Sequence, residues 1–87
     1  MTFFPRWKEA FNFQPLFVPH SVKRDGKRFW FDLLLMGDEL GRLREIVRAG
    51  EIPCDIYCDG VEYKVSLFSA GDELQHHRVA CHVEVIE

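Results

Sequence analysis

The sequence predicts an α+β fold: a two-layer arrangement with an antiparallel sheet of about five strands (ββαβββ), one main helix packed on it and a short N-terminal helix. Two Asp-Gly pairs, at 25–26 and 59–60, lie between runs in which apolar and polar residues alternate. Asp-Gly is favoured in two-residue hairpin turns because both central residues take a positive φ. Between the hairpins lies an amphipathic segment with the spacing of a helix.

Residues 3–11 predict the short N-terminal helix. Large or apolar side chains recur there at helical spacing, at Phe3, Phe4, Trp7, Ala10 and Phe11. Thr2 is placed to cap the start of this helix, and Asn12 is placed to end it in a left-handed conformation. Because so short a helix is not stable alone, we expect it to dock on the sheet.

The first hairpin is predicted to pair residues 16–24 with residues 27–35. Folding about Asp25-Gly26 gives the register Val22–Phe29, His20–Phe31, Val18–Leu33 and Leu16–Leu35. Prolines at 15 and 19 favour an edge position or a bulge for the first strand, since proline cannot donate to the ladder. The second strand is apolar on both faces, which favours a central position.

A helix is predicted from Asp38, which caps it, to just before Gly50. Its buried stripe is predicted to consist of Leu40, Leu43, Ile46 and Val47. The second hairpin is predicted to pair Cys58–Val61, Ile56–Tyr63, Cys54–Val65 and Ile52–Leu67. An irregular acidic loop follows residues 69–71, and residues 78–86 alternate as a last strand. The length predicts a single domain over residues 1–87.

Charge and hydropathy limit the classes of partner. The net charge of -3 argues against a surface wholly devoted to nucleic acid. Residues 1–50 carry nine Lys/Arg against six Asp/Glu, whereas residues 51–87 carry two against eight. The longest apolar stretch, residues 29–36, is interrupted by Asp32 and is too short to cross a bilayer, and no signal peptide is recognisable. We therefore expect a cytoplasmic protein with no membrane partner.

Cysteine and histidine residues raise the question of a metal site. Cys54, Cys58 and Cys81 share faces with apolar neighbours, which predicts three buried, reduced thiols. His76, His77 and His82 lie near Cys81 in the chain, but no zinc-ligand spacing is present. We expect no metal and no cofactor.

His82 and Glu84 form the best candidate catalytic pair, because a carboxylate beside a histidine tunes it as a general base. His76 or His77 is available to assist from the preceding loop. No phosphate-binding loop, nucleophile motif or paired carboxylates accompany them. We therefore expect no enzyme activity.

Two candidate binding surfaces remain. The basic hairpin tip, defined as Lys23, Arg24, Lys27 and Arg28, has Trp30 behind it, an arrangement that suits phosphates and stacked bases. Charged hairpin tips are also ordinary solvated features. The second surface is the sheet face predicted to lie away from the main helix, made of Phe17, Trp30, Leu34, Tyr57, Phe68 and Ile86. So much apolar area requires cover by the N-terminal helix, by a partner or by a second copy.

These observations favour a small cytosolic, non-catalytic binding or accessory protein that contacts another protein or a second copy of itself through the apolar face, with Phe17, Trp30, Leu34, Tyr57 and Phe68 as partner-binding residues. A phage or mobile-element inhibitor or adaptor of a host protein is one form of this hypothesis. The alternative is a nucleic-acid-associated module that uses the basic hairpin tip. A small enzyme or metal-binding protein is the third hypothesis.

Overall fold

The computed structural model describes residues 1–86 and contains one antiparallel sheet, one α-helix and two short 3₁₀ turns. The strands are β1 (Phe3–Trp7), β2 (Leu16–Phe17), β3 (Lys23–Asp25), β4 (Arg28–Leu34), β5 (Cys54–Cys58), β6 (Val61–Glu73) and β7 (Arg78–Ile86). The helix α1 spans Glu39–Arg48, and the 3₁₀ turns span Glu9–Phe11 and Gln75–His77. The strand order is β1-β5-β6-β7-β4-β2, with β3 also paired to β4. The sheet has seven strands rather than about five, and it curls into a nearly closed barrel instead of forming a flat layer.

The predicted N-terminal helix is wrong, because residues 3–7 form strand β1 and only Glu9–Phe11 makes a helical turn. β1 adds to the edge of β5, with Phe3 opposite Cys58 and Trp7 opposite Cys54. Its burial alternates along the strand, so the same large side chains satisfy a period of two. Pairing with β5 supplies backbone hydrogen bonds and burial that so short a helix could not obtain alone. Asn12 does adopt the predicted left-handed conformation, with φ 52.

The predicted register of the first hairpin is wrong, because the turn lies one residue later in the chain than predicted. Arg24 lies opposite Phe29 and Asp25 opposite Arg28, so the turn residues are Gly26 and Lys27. Between β3 and β2 the chain leaves the ladder, and β2 resumes with Leu16 opposite Leu34. The interruption contains a turn in which Ser21 N–H donates to Val18 O (3.3 Å) and His20 has φ 67, and Pro19 takes the second turn position that proline favours.

The second hairpin, the helix and the last strand follow the predictions more closely. The pairs Cys58–Val61 and Ile56–Tyr63 are confirmed, but the ladder does not extend to the predicted pairs Cys54–Val65 and Ile52–Leu67. Val65 N–H donates instead to the side chain of Asp55, at Oδ1 (3.1 Å). The helix ends before Gly50 as predicted. Leu43, one residue of its predicted buried stripe, is fully buried. The predicted acidic loop after residues 69–71 begins later than predicted, since β6 continues to Glu73 through two register shifts against β7 and only residues 74–77 lie outside the strands.

The core fills the inside of the barrel with side chains from β1, β4, β5, β6 and β7, joined by Leu43 of α1. Its fully buried members include Phe29, Phe31, Leu33, Ile56, Val79 and Val83. All three cysteines lie in this core, which confirms the predicted burial. None of the helices in residues 1–86 combines the length and the apolar character needed to cross a membrane.

The barrel stays open along one line between β1 and β2, which we call the seam. Lys8 N–H donates to Pro53 O (3.0 Å), and Asp59 N–H donates to Thr2 O (2.8 Å). Successive residues of a strand direct their backbone N–H and C=O groups to opposite sides. The nitrogen of Pro5 is therefore directed away from β5, toward the seam.

The opposite edge of the seam has the same property. Val18 N–H donates to Asp32 O (2.9 Å), so by the same alternation the nitrogen of Pro15 is directed away from β4. Both edges therefore present prolines, which have no N–H to donate. Side chains close the gap instead, as the rings of Phe3 and Phe17 lie 5.4 Å apart between centroids.

Candidate binding face

The outer face of β3, β4 and β7 is ordered by its registers into rows of side chains. One row runs across the three strands as Lys23, Trp30 and His82, and the neighbouring row runs as Asp25, Arg28 and Glu84. Asp32 lies two residues beyond Trp30 on the same face. Because alternate residues such as Phe29 and Phe31 point into the core, the outward set is fixed by the fold.

Trp30 stands at the centre of this face. Its side chain remains 37% exposed, and its ring stacks on the imidazole of His82 with centroids 5.1 Å apart and planes 27° apart. The stack restrains the indole, while more than a third of the residue remains exposed. Trp30 is therefore a fixed aromatic surface that stays open to a ligand.

A groove of about 670 Å³ lies on one side of Trp30, and we call it the Trp30 groove. Its walls include His20, Ser21, Lys23, Asp32 and Arg78. A smaller depression of about 290 Å³, lined in part by Ser69, Gly71 and His82, lies on the other side of the indole. Trp30 thus separates two concave surfaces and contributes a wall to each.

The Trp30 groove exists because the chain leaves the ladder between β2 and β3. Ser21 Oγ donates to Val18 O (2.7 Å) and accepts the Asp32 N–H (2.9 Å), so it takes the place of a neighbouring strand. His20 turns the chain with φ 67. These hydrogen bonds hold the wall, and Asp32 also lines the groove.

Charges on this face are mostly paired. Arg78 Nε donates to Asp32 Oδ2, and Arg28 Nε lies 3.6 Å from Glu84 Oε1. Within residues 1–86, Lys23 forms no such pair. The cationic member of the Arg78–Asp32 pair is also the more accessible one, with side-chain exposures of 43% and 21%.

The four residues of the basic hairpin tip do not form one cluster. Arg24 turns back over the rings of Phe29 (4.9 Å) and Tyr63 (5.4 Å), and its Nε donates to Gly26 O. Arg28 pairs with Glu84, and Lys23 lines the Trp30 groove. The remaining member, Lys27, accepts the Val85 N–H at its carbonyl (3.0 Å). The one-position change in the turn separates these side chains.

The predicted apolar face is divided between the inside and the outside of the barrel. Phe68 is only 6% exposed and belongs to the core, because the register shift between Val65 and Leu67 reverses the facing of later β6 residues. Phe17 is partly buried, and its ring contacts Phe3 and Phe31.

The remaining residues of that predicted face do lie outside, but they are not contiguous. Leu34 is half-buried on the outer side of β4, and Ile86 is exposed at the end of β7. Tyr57 stacks on Phe4 at 4.7 Å, on the outer side of β5 and β1. Strands β6 and β7 lie between that pair and Trp30 in the sheet order.

The candidate catalytic and metal-binding residues also lie apart. His82 is stacked on Trp30, whereas Glu84 pairs with Arg28. His77 Nδ1 lies 3.3 Å from Glu73 Oε1 in the turn before β7. Across residues 1–86, no three His, Cys, Asp or Glu side chains gather as a metal site.

The thiols are poor nucleophiles as placed. Burial, reinforced by the charge of Asp32, raises the pKa of Cys81 to about 12. Burial also raises the pKa values of Cys54 and Cys58. The protonated form of each thiol is therefore favoured at neutral pH.

Sequence reasoning missed five lining residues of the Trp30 groove: His20, Ser21, Asp32, Arg78 and Ala80. Asp32 did carry a usable indication, since a carboxylate inside an apolar strand needs a partner. That partner, Arg78, is 46 residues away in the chain, and no local pattern connects the two.

Comparisons of the chain with protein-family models, with curated proteins and with solved structures found no significant match.

Proposed function

We propose that this protein is a small non-catalytic binding module that engages another protein through the outer face around Trp30. The observation that carries the proposal is the exposed indole, fixed by His82 and flanked by two concave surfaces. Tryptophan is strongly enriched among the residues that dominate binding energy, especially where a rigid aromatic side chain meets a pocket. Ion pairs around it resemble the polar rim of an interface.

The non-catalytic part of the proposal is supported by how the polar side chains are engaged. Glu84 and Asp32, two of the carboxylates near Trp30 in the strand registers, are each paired with an arginine. His82 is held against an aromatic ring rather than beside a carboxylate. These contacts place His82 against Trp30 and Glu84 against Arg28, which supports a surface role for the two residues over a general-base pair.

The test is an affinity capture with matched variants. Immobilised protein is incubated with a nuclease-treated extract of the cells that produce it, and retained proteins are identified by mass spectrometry. The wild type is compared with Trp30→Ala and with Phe4→Ala, a matched control because Phe4 is an exposed aromatic stacked on Tyr57 outside this face. We expect a protein that is retained by the wild type and by Phe4→Ala but lost from Trp30→Ala.

Equal retention by both variants, with circular dichroism showing that each is folded, would contradict the proposal. Capture of the chain's own copies in the same pattern would identify a second copy as the partner. Sedimentation of the purified protein with and without Trp30→Ala would show the same change as a loss of dimer.

A nucleic-acid-associated module is the second candidate, favoured by the position of Lys23 directly opposite Trp30. A cation beside an open aromatic surface suits a phosphate and a stacked base. If capture depends on Trp30 only when nuclease is omitted, this second candidate replaces the first.

A further inference from the structure

We infer that the Trp30 groove binds a peptide segment carrying one carboxylate next to a flat apolar side chain, such as an aromatic ring or proline. The inference rests on the proposed function and specifies the chemistry of the partner. It comes from the arrangement of Lys23, Trp30 and Arg78, from the balance of donors and acceptors in the walls, and from the charge of the surrounding face.

The first argument is spacing. Lys23 and Trp30 are direct cross-strand partners on β3 and β4. Side chains opposite each other in this way have Cβ atoms about 5 Å apart. A ligand that stacks on the indole while its anion meets the Lys23 ammonium therefore needs the two groups close together. Neighbouring residues of an extended peptide provide that separation.

The second argument is the balance of hydrogen-bonding groups. Three lining side chains can only donate, those of Lys23, Trp30 and Arg78, whereas His20 can donate or accept. The groove carboxylate, Asp32, already accepts from Arg78, and Ser21 Oγ both donates and accepts within the protein. Donors are therefore in excess, which matches a ligand rich in acceptors.

The third argument is the amount of negative charge that the face tolerates. Outward-facing cations on β3, β4 and β7 are Lys23, Arg28 and Arg78, and the outward-facing carboxylates are Asp25, Asp32 and Glu84. Three of each give a neutral face when His82 is neutral. A chain of phosphates needs several uncompensated cations, whereas one carboxylate needs only Lys23, which has no ion-pair partner among residues 1–86. The face therefore favours a singly anionic peptide over a nucleic acid.

The experiment selects a phage-displayed library of random dodecapeptides on immobilised wild-type protein, with Trp30→Ala as the counter-selection. We expect the enriched sequences to share a Glu or Asp within two residues of an aromatic residue or proline. One enriched peptide is then synthesised with a fluorescent label and titrated by anisotropy. Replacing its acidic residue by the amide, or changing Lys23→Gln in the protein, should weaken binding about tenfold, as expected for one charged hydrogen bond.

Lys64→Gln is the matched control, because Lys64 is an exposed cation on the outer side of β6, outside the groove. It should leave the affinity unchanged within about twofold. Enriched peptides without an acidic residue, an equal effect of Lys23→Gln and Lys64→Gln, or tighter binding of a labelled dodecathymidylate than of any peptide would each overturn the inference. If cellular capture depends on Trp30 while the peptides show no acidic preference, this inference fails and the proposed function stands. If capture does not depend on Trp30, the proposed function itself fails.

Discussion

Arg24 illustrates how one turn position changes the role of a side chain. With the turn at Asp25-Gly26, it would lie opposite Lys27 at the exposed tip of the hairpin. With the turn at Gly26-Lys27, it lies opposite Phe29 and covers two aromatic rings at the end of the barrel. Local sequence does not distinguish these turns well, because both place Gly26 at a positive φ. The number of charged residues at the tip was therefore predictable, but the direction in which the Arg24 side chain points was not.

The buried thiol of Cys81 makes stability depend on pH in the alkaline range. Its pKa is raised by burial from 9.0 to about 12 in the folded state, while the unfolded thiol ionises at its ordinary value. The contribution is thus fully present below pH 9 and is lost as the pH rises toward 12. Between neutral pH and about pH 10.5, this one thiol should cost about 2 kcal/mol of unfolding free energy.

Urea unfolding under reducing conditions at both pH values measures this effect. Cys81→Ala is the control, because it is less stable at neutral pH but lacks the titrating group. We expect its loss of stability on raising the pH to be smaller than that of the wild type by about the same 2 kcal/mol. Equal losses in the two proteins would show that Cys81 ionises without opposing the fold.

At the scale of elements, β1 shows where periodicity is ambiguous. Phe3, Phe4 and Trp7 fit a helical stripe, yet Phe3 and Trp7 also lie on one side of a strand with Phe4 on the other. What decides the matter is the free edge of β5, which no local pattern reports. Helix α1 was predictable because its stripe and its flanking glycine agree over ten residues.

A helix and a strand predict different costs of substitution at residues 3 and 4. A helical stripe would bury Phe3 and Phe4 alike, whereas a strand buries only one of them. Phe3 is 8% exposed and contacts three other rings, whereas Phe4 is 42% exposed on the outer side. Phe3→Ala should lower the free energy of unfolding by about 3 kcal/mol or more, while Phe4→Ala should lower it by about 1 kcal/mol through its stack on Tyr57. Chemical denaturation measures both, and similar costs at the two positions would argue against the strand.

Strands β5 and β6 show that a turn predicts strand pairing close to it but not farther along the strand. Short-range pairing at the Asp59-Gly60 turn was predicted correctly, because turn type and alternation act over a few residues. Farther along β6, the shift between Val65 and Leu67 turns Phe68 inward, and the prediction placed it on the wrong face. A bulge leaves little trace in composition, so errors of facing accumulate beyond it.

At the scale of the whole molecule, the sequence supports the class of fold but not the closure of the sheet. The alternation of β4, β5 and β7 and the helix between the hairpins define an α+β chain with a large apolar core. Closure depends on β1 meeting β5 and on Phe3 reaching Phe17, contacts between residues that are distant or weakly patterned. The Trp30 groove depends on the same long-range organisation, and only Trp30 and Lys23 among its lining residues were candidates beforehand.

The seam has a consequence for the order in which the protein opens. Strand β1 is hydrogen-bonded on one side only, whereas β7 lies between β6 and β4. Peeling β1 away breaks the ladder to β5 and a few ring contacts, so it should cost less than unfolding the whole barrel. In native-state hydrogen exchange, the amides of β1 should therefore exchange through a sub-global opening well below the global free energy. The central amides of β7 should exchange only on complete unfolding, and β1 amides as slow as those of β7 would mean that the seam is held as firmly as a hydrogen-bonded strand pair.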